Sequence, residues 1–302
     1  MAQPNPRLSC APTGDVLQPH FPEVIMNLAV IISVSEYQHA GALPGCKLDA
    51  QHMQQMLQLT GRFDDILVLD QSPSTPEIRA SLKGWARRYK GQLVDEVFWY
   101  YTGHGVYYGD ARFCGRDYSP QLLEATSLSN QEVDDLLRLL QPRVVVKVID
   151  ACQSGAPYIK GHPPAFRRAL EHSRLESFIS MCSCTREQSS YSHLFGSDFT
   201  LTWLDAVLQR RSGVVTYRQI EQHLIQQFQH QVAQTPFFVK QGTGHETFCR
   251  ITPQMQTLAR AIEAARLGKR ALLNRSERPR PSQPRSTWPD RPSGWPRTQP
   301  AG

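Results

Sequence analysis

Residues 143–155 read Arg-Val-Val-Val-Lys-Val-Ile-Asp-Ala-Cys-Gln-Ser-Gly. Val144, Val145, Val146, Val148 and Ile149 form a nearly unbroken β-branched run, interrupted by Lys147. Such a run suits a strand covered on both faces, as in a parallel sheet. It ends at Asp150-Ala151-Cys152-Gln153-Ser154-Gly155, where small residues let the chain turn and present a side chain. Ligands of open α/β sheets sit at the carboxyl ends of the strands. Cys152 is therefore placed where chemistry is expected.

A second run ends in the same way. Val94 to Thr102, rich in valine and aromatics, predicts another buried strand and leads straight into Gly103-His104-Gly105. If the two strands are parallel neighbours, a thiol and an imidazole emerge on one rim, as a nucleophile and its base. The competing reading makes Cys152 a core residue and His104 a structural one; the pairing of both at strand tips favours catalysis.

Outward from these strands the pattern alternates. A strand is expected over Val24–Tyr37, then a helix from about Cys46 to Leu59, stopped by Gly61. Asp65–Asp70 reads as a short strand, and Ser74 or Thr75 can cap a helix that opens with Pro76 and runs to Tyr89. Residues 106–118 read as a hairpin or loop with Gly109-Asp110 at its tip, and a helix is expected over about Ser129–Leu140. Leu175–Cys182 is a fifth strand, Phe199–Arg210 and Tyr217–Val232 are amphipathic helices, and 236–239 with 246–251 make a closing strand pair. Thr252 is expected to cap a last helix over Pro253–Leu273. Strands alternating with helices predict a doubly wound α/β fold. The organisation expected is a Pro-rich flexible leader over 1–22, a domain over 23–252, a C-terminal helix over 253–273 and a tail from 274 to 302.

Composition narrows the classes. With 302 residues, 40% of them hydrophobic, the chain can bury one large core. No apolar run reaches the 18 or so residues of a membrane span, and no secretory signal is visible, so no membrane partner is expected. The seven cysteines are odd in number and scattered, which predicts a reducing, cytoplasmic setting rather than a disulfide framework. Cys182 and Cys184 lack the spacing of a zinc site and are read as packing residues. From Arg275 to Gly302 six arginines stand against Glu277 and Asp290, a net +4 of the chain's +6. A solvated, disordered tail is the favoured reading, and a nucleic-acid anchor the alternative.

The motifs carry a resemblance. Tyr-Tyr-Thr-Gly-His-Gly (100–105) and Ile-Asp-Ala-Cys-Gln-Ser-Gly (149–155), with His104 lying 48 residues before Cys152 (152 − 104), resemble the caspase order of histidine and nucleophile. They are closer still to the motifs of metacaspases and related bacterial caspase-like peptidases, and the resemblance runs from about Ala29 to Gln188. It implies a mostly parallel sheet of about six strands between helices, and a cysteine endopeptidase with a Cys152–His104 dyad. The backbone N–H groups of Gly105 and Cys152 would be the oxyanion donors. The rival class is a caspase-like regulatory or interaction module with little catalysis, against which the intact dyad counts.

Further roles follow from the resemblance. Asp49, in Gly45-Cys46-Lys47-Leu48-Asp49-Ala50, and Asp150 match the acidic residues of the family's first specificity pocket, with Cys46 and Thr102 completing it. Protein or peptide substrates with Arg or Lys before the cut are implied; the competing reading has Asp49 cap a helix and Asp150 merely end a strand. Autoprocessing is expected in the loop after the catalytic strand, where Lys160, Arg167 and Arg168 stand, with Arg168 ranked first. The family's calcium site uses an Asp pair where this chain has Asn130 and Gln131, and a later Asp near Ile159. Only Asp117 of that set is present, so no cofactor is assigned and calcium dependence is not expected.

Overall fold

Elements alternate along the chain as strand and helix because apolar periodicity alternates between two and about 3.6. In a computed structural model, residues 24–151, 175–184, 192–193, 196–231 and 234–276 are described. In chain order they form β1 (Ile25–Ser33), α1 (Gly45–Thr60), β2 (Asp65–Leu69), α2 (Thr75–Tyr89), β3 (Leu93–Gly103), β4 (Gly105–Tyr108) and β5 (Asp110–Cys114). Then come β6 (Ser127–Ser129), α3 (Asn130–Arg138), β7 (Val144–Ala151), β8 (Ser177–Cys182), β9 (Ser192–His193) and β10 (Gly196–Ser197). The last are α4 (Asp198–Leu208), β11 (Val214–Thr216), α5 (Tyr217–Phe228), β12 (Phe237–Gln241), β13 (Thr247–Arg250) and α6 (Met255–Ser276).

Six strands make the central sheet, in the order β12-β8-β7-β3-β1-β2, all parallel except β12. Both faces are covered, which is what the β-branched runs require. On one face Ala29, Ile31, Phe98, Tyr100, Val146 and Val148 pack under α1, α4, α5 and α6. On the other Val30, Ile32, Val97, Trp99, Val145 and Ile149 pack against α2 and α3. Alternate residues of one strand thus feed two cores, so a one-residue slip would exchange the faces. Met255, Leu258 and Ile262 of α6 belong to the first core.

Helix ends are set by local chemistry. Gly61 closes α1 at φ 60°, a left-handed conformation glycine adopts without steric cost. Ser74 precedes α2 and its backbone N–H donates to Glu77 Oε2 at 2.7 Å, with Pro76 in the first turn. Lys147, which breaks the valine run, is fully buried on the α3 side, where its ammonium donates to Asn130 Oδ1 and to Asp134 Oδ1 at 2.8 Å. A buried cation persists because it is paired.

Three local expectations are corrected. The first strand stops at Ser33 rather than Tyr37, because the N–H groups of Ser35 and Glu36 turn to Ser72 Oγ at 3.1 and 3.0 Å. The two C-terminal strands do not pair with each other. β12 adds antiparallel to β8, and β13 pairs with β11, its Phe248 lodged 5.0 Å from Trp203 and 5.5 Å from Tyr217 by ring centroid. Burial of that aromatic decides the pairing, which strand propensity alone could not. Thr252 does not cap the last helix by its side chain; its hydroxyl makes no hydrogen bond, and its carbonyl accepts from Met255 N–H at 3.2 Å.

Candidate active site

The register of β3 on β7 builds the site. Thr102 lies opposite Asp150 and Gly103 opposite Ala151, and on the other flank Ser33 lies opposite Thr102. The next residue after Gly103 is His104, and the next after Ala151 is Cys152, which lies outside the described residues together with residues 156–173. Ala151 is held from β8's end: its N–H donates to Ser183 Oγ at 3.1 Å, and its carbonyl accepts from Ser183 Oγ at 3.2 Å and Cys184 Sγ at 3.3 Å. The chain is thus pinned one residue before the thiol, and Cys184, read as a packing residue, contributes to the pinning.

His104 is held on three sides. Its backbone N–H donates to Tyr37 Oη at 2.6 Å, and its carbonyl accepts from Tyr101 Oη at 2.8 Å. The Tyr37 ring lies against the imidazole, centroids 4.5 Å apart. Nε2 stands 2.7 Å from the Gly41 carbonyl oxygen. A carbonyl can only accept, so Nε2 carries the proton and Nδ1 of the neutral ring is left as the acceptor. Gly103 is needed where it is: a Cβ there would come 2.7 Å from both tyrosine hydroxyl oxygens. Gly105 follows as the first residue of β4, buried against the hairpin formed with β5.

Cys46, Asp49, Thr102 and Asp150 are brought together beneath this rim. Thr102 and Asp150 continue the strand positions that face α1 and α4, while Cys46 and Asp49 lie in the first turns of α1; all four are buried. Ser197, just before α4, joins the two carboxylates. Its N–H donates to both oxygens of Asp49 at 3.0 Å, and its hydroxyl donates to Asp150 Oδ2. Thr200 Oγ1 also donates to Asp150 Oδ2, at 2.7 Å. Burial, and then the charge of Asp150, push the Asp49 carboxyl well above the ordinary carboxylate range. Thr102 Oγ1 and Ser33 Oγ beside it are buried without hydrogen-bond partners.

Sequence reasoning misses Tyr37, Ser197 and Thr200 as site residues. Ser197 carries a visible signal, a Ser immediately before an apolar helical run. Tyr37 carries none, since the strand pattern makes it the last residue of β1.

The described part of the calcium position does not fit the ion. Asn130 Oδ1 faces the Lys147 ammonium, and Asp117 Oδ1 accepts the Thr75 N–H of α2 at 2.7 Å. Gln131 contributes a backbone N–H, donated to Asp110 Oδ2 at 2.8 Å. No cluster of three or more His, Cys, Asp or Glu residues suited to a metal occurs among the described residues.

A mostly parallel six-stranded sheet between helices, with a histidine at one strand's tip and a cysteine following its neighbour in sequence, defines a cysteine-peptidase type of fold. The caspase-domain family model matches residues 26–247, and the chain belongs to that family. The family acts on protein substrates, and no helix among the described residues is long and apolar enough to cross a membrane. The fold is also similar to the crystal structure of protein GSU0716 from Geobacter sulfurreducens, with a TM-score of 0.50 at 20% identity over 77% of this chain and 96% of that one. Among curated proteins, none matches the chain.

Proposed function

We propose that the protein is a cysteine endopeptidase in which Cys152 is the nucleophile and His104 its base, and that it cuts after Arg or Lys. The observation that carries this is the register of β3 on β7, which sets Gly103 opposite Ala151 and Thr102 opposite Asp150. The residues following Gly103 and Ala151 are the dyad; those preceding them on the α1 side are the pocket.

A thiol with an ordinary pKa of about 8.5 is mostly protonated at neutral pH and needs a base beside it. Nδ1 of His104 accepts the Cys152 proton, and the thiolate attacks the substrate carbonyl carbon. The backbone N–H groups of Gly105 and Cys152 donate to the oxyanion that forms. Collapse breaks the C–N bond, the imidazolium returns its proton to the leaving amine, and a thioester remains. Water then adds with His104 as base, releasing the acid and restoring the thiol. The Nε2–H···O=C bond to Gly41 supports this cycle by holding the ring in one tautomer.

Specificity rests on Asp49 and Asp150. Two carboxylates in one buried pocket repel, which is the second cause of the raised Asp49 pKa. A guanidinium or ammonium relieves both burial and repulsion, and a guanidinium can bond two carboxylates in its plane. The unsatisfied Thr102 hydroxyl offers a further acceptor. The same preference predicts self-cleavage at Arg168, Arg167 or Lys160, in a proline-containing stretch that lies outside the described residues. A cleavage profile on a peptide library, run beside Cys152→Ala, tests the reading. Cutting after Arg and Lys in the wild type alone is expected; a profile dominated by Asp overturns the pocket, and turnover by Cys152→Ala overturns the dyad.

A further inference from the structure

We propose that Ser197 is the residue that sets substrate specificity by positioning the acidic pair, with Gly196 making its approach possible. This rests on the reading of Asp49 and Asp150 as the pocket for a basic side chain. The two carboxylates come from separate elements, α1 and β7, and neither element fixes the other's side-chain direction. Ser197 touches both.

The hydroxyl and the backbone N–H of Ser197 have separate tasks. The hydroxyl oxygen accepts from Thr200 N–H at 3.0 Å, which caps α4. With that lone pair engaged, the hydroxyl proton goes to Asp150 Oδ2. The backbone N–H is shared by the two oxygens of Asp49. A second hydroxyl, from Thr200, meets the same Asp150 oxygen and is itself within 2.7 Å of Tyr100 Oη. Asp150 is therefore gripped by donors on one oxygen, and Asp49 is drawn to the same point by a backbone donor.

Gly196 is what allows the backbone so close. Its φ is +104°, and a Cβ there would lie 2.6 Å from Asp49 Oδ1. With any side chain at 196, either the strand end or the Asp49 carboxylate must shift. The pair Gly196-Ser197 thus acts as one clamp, the glycine giving room and the serine giving donors.

Capping alone is the rival account, and it makes different demands. A cap needs a residue at 197 that readily takes the extended N-cap backbone, φ -89° and ψ 150° here; the clamp needs a donor to Asp150. Glycine is nearly as good as serine in capping but has no hydroxyl. Threonine keeps both functions. Ser197→Ala, Ser197→Gly and Ser197→Thr in the full chain separate them. kcat/KM is measured on an Arg peptide and on the same peptide with citrulline, which keeps the shape without the charge, together with the iodoacetamide alkylation rate of Cys152.

Ser197→Ala and Ser197→Gly should lose about tenfold or more on the Arg peptide, the cost of a hydrogen bond to a charged group. Alkylation and citrulline-peptide turnover should stay within about threefold. The acidic limb of the Arg-peptide pH profile should move upward, since a carboxylate deprived of a donor is easier to protonate. Ser197→Thr should return the Arg-peptide rate. Should Ser197→Ala unfold, Ser197→Gly, which costs the helix little at its N-cap, separates the two accounts. Retained Arg-peptide rates in a folded hydroxyl-less variant overturn the proposal, as does an alkylation rate that falls in parallel, which marks a structural role. Failure of the underlying reading is distinguishable, because the wild type itself would then not prefer Arg over citrulline.

Discussion

The sheet buries carboxylates at both of its rims and treats them oppositely. At the amino rim Glu96 of β3 is 1% exposed, and Arg62 stands 2.7 Å from its Oε2, an ion pair without the alignment of a hydrogen bond. Tyr217 donates to its other oxygen, and a cleft of about 270 Å³ opens beside it. At the carboxyl rim Asp49 takes a backbone N–H and faces a second carboxylate. One rim sets a cation beside its carboxylate, whereas the other gathers like charges. Burying charge is costly unless an opposite charge answers it, so the first arrangement reads as structure and the second as a place prepared for a cation.

The largest expected effect concerns chemistry at the carboxyl rim. Cys152→Ala and His104→Ala should each lower peptide cleavage by about 10³-fold or more, and the double variant should lose little beyond either single, because the dyad acts as a unit. Thermal unfolding should be nearly unchanged. Substantial turnover in Cys152→Ala would remove the rim's claim to catalysis and leave only its like-charge pair to explain.

Next comes the pair itself. Asp150→Asn should cost roughly a hundredfold or more on Arg and Lys peptides, in line with about 3–5 kcal/mol for breaking one half of a buried charge pair. Stability should not fall, since the substitution removes a repulsion. A drop in stability with unchanged Arg-peptide rates would make the two rims alike.

At the amino rim the expectation reverses, with stability lost and specificity kept. Arg62→Met should cost about 2 kcal/mol, less than a fully buried pair because Arg62 is 23% exposed. Burial raises Glu96 from 4.5 to about 7 against the lowering pull of Arg62. The folded protein therefore binds a proton that the unfolded chain releases. Glu96's contribution to stability is full below about pH 4.5 and is lost as pH rises through about 7. Chemical denaturation from pH 5 to 8 should show that loss in the wild type and a flatter curve in Glu96→Gln. Equal slopes would mean Glu96 stays ionised throughout.

Legibility follows the distance between partners. The valine run at 144–149 and the aromatic run at 94–102 announce doubly covered strands from a few adjacent residues, and the dyad motifs sit at their ends. Asp49 and Asp150 are readable because they lie within short motifs of the same kind. Ser197 is 148 residues from Asp49, and nothing local to it says which carboxylate its donors will meet. The partner of β13 is hidden for a related reason: strand propensity marks residues 246–251 but cannot choose between β12 and β11, and the aromatic cluster of Phe248, Trp203 and Tyr217 makes the choice. Lys147 looks like an interruption in a strand. Its partner Asp134 lies on α3, where no strand pattern points.

The smallest effect tests how the carboxyl rim holds its base. Tyr37 Oη accepts the His104 N–H at 2.6 Å while its ring packs on the imidazole at a 55° tilt, so one residue touches both backbone and ring. Tyr37→Phe keeps the ring and removes the acceptor, leaving that N–H to find another partner. Tyr37 touches no reacting atom, so it is a positioning residue, and its loss should appear in kcat rather than KM. A fall of about tenfold in kcat is expected, with KM within twofold. The pH midpoint of Cys152 alkylation should move upward, because a less well held imidazole stabilises the thiolate less. Tyr37→Leu, which also frees the ring, should lose more. Unchanged kcat and an unchanged alkylation midpoint in Tyr37→Phe would assign the holding of His104 to the Gly41 carbonyl, at the far side of the ring.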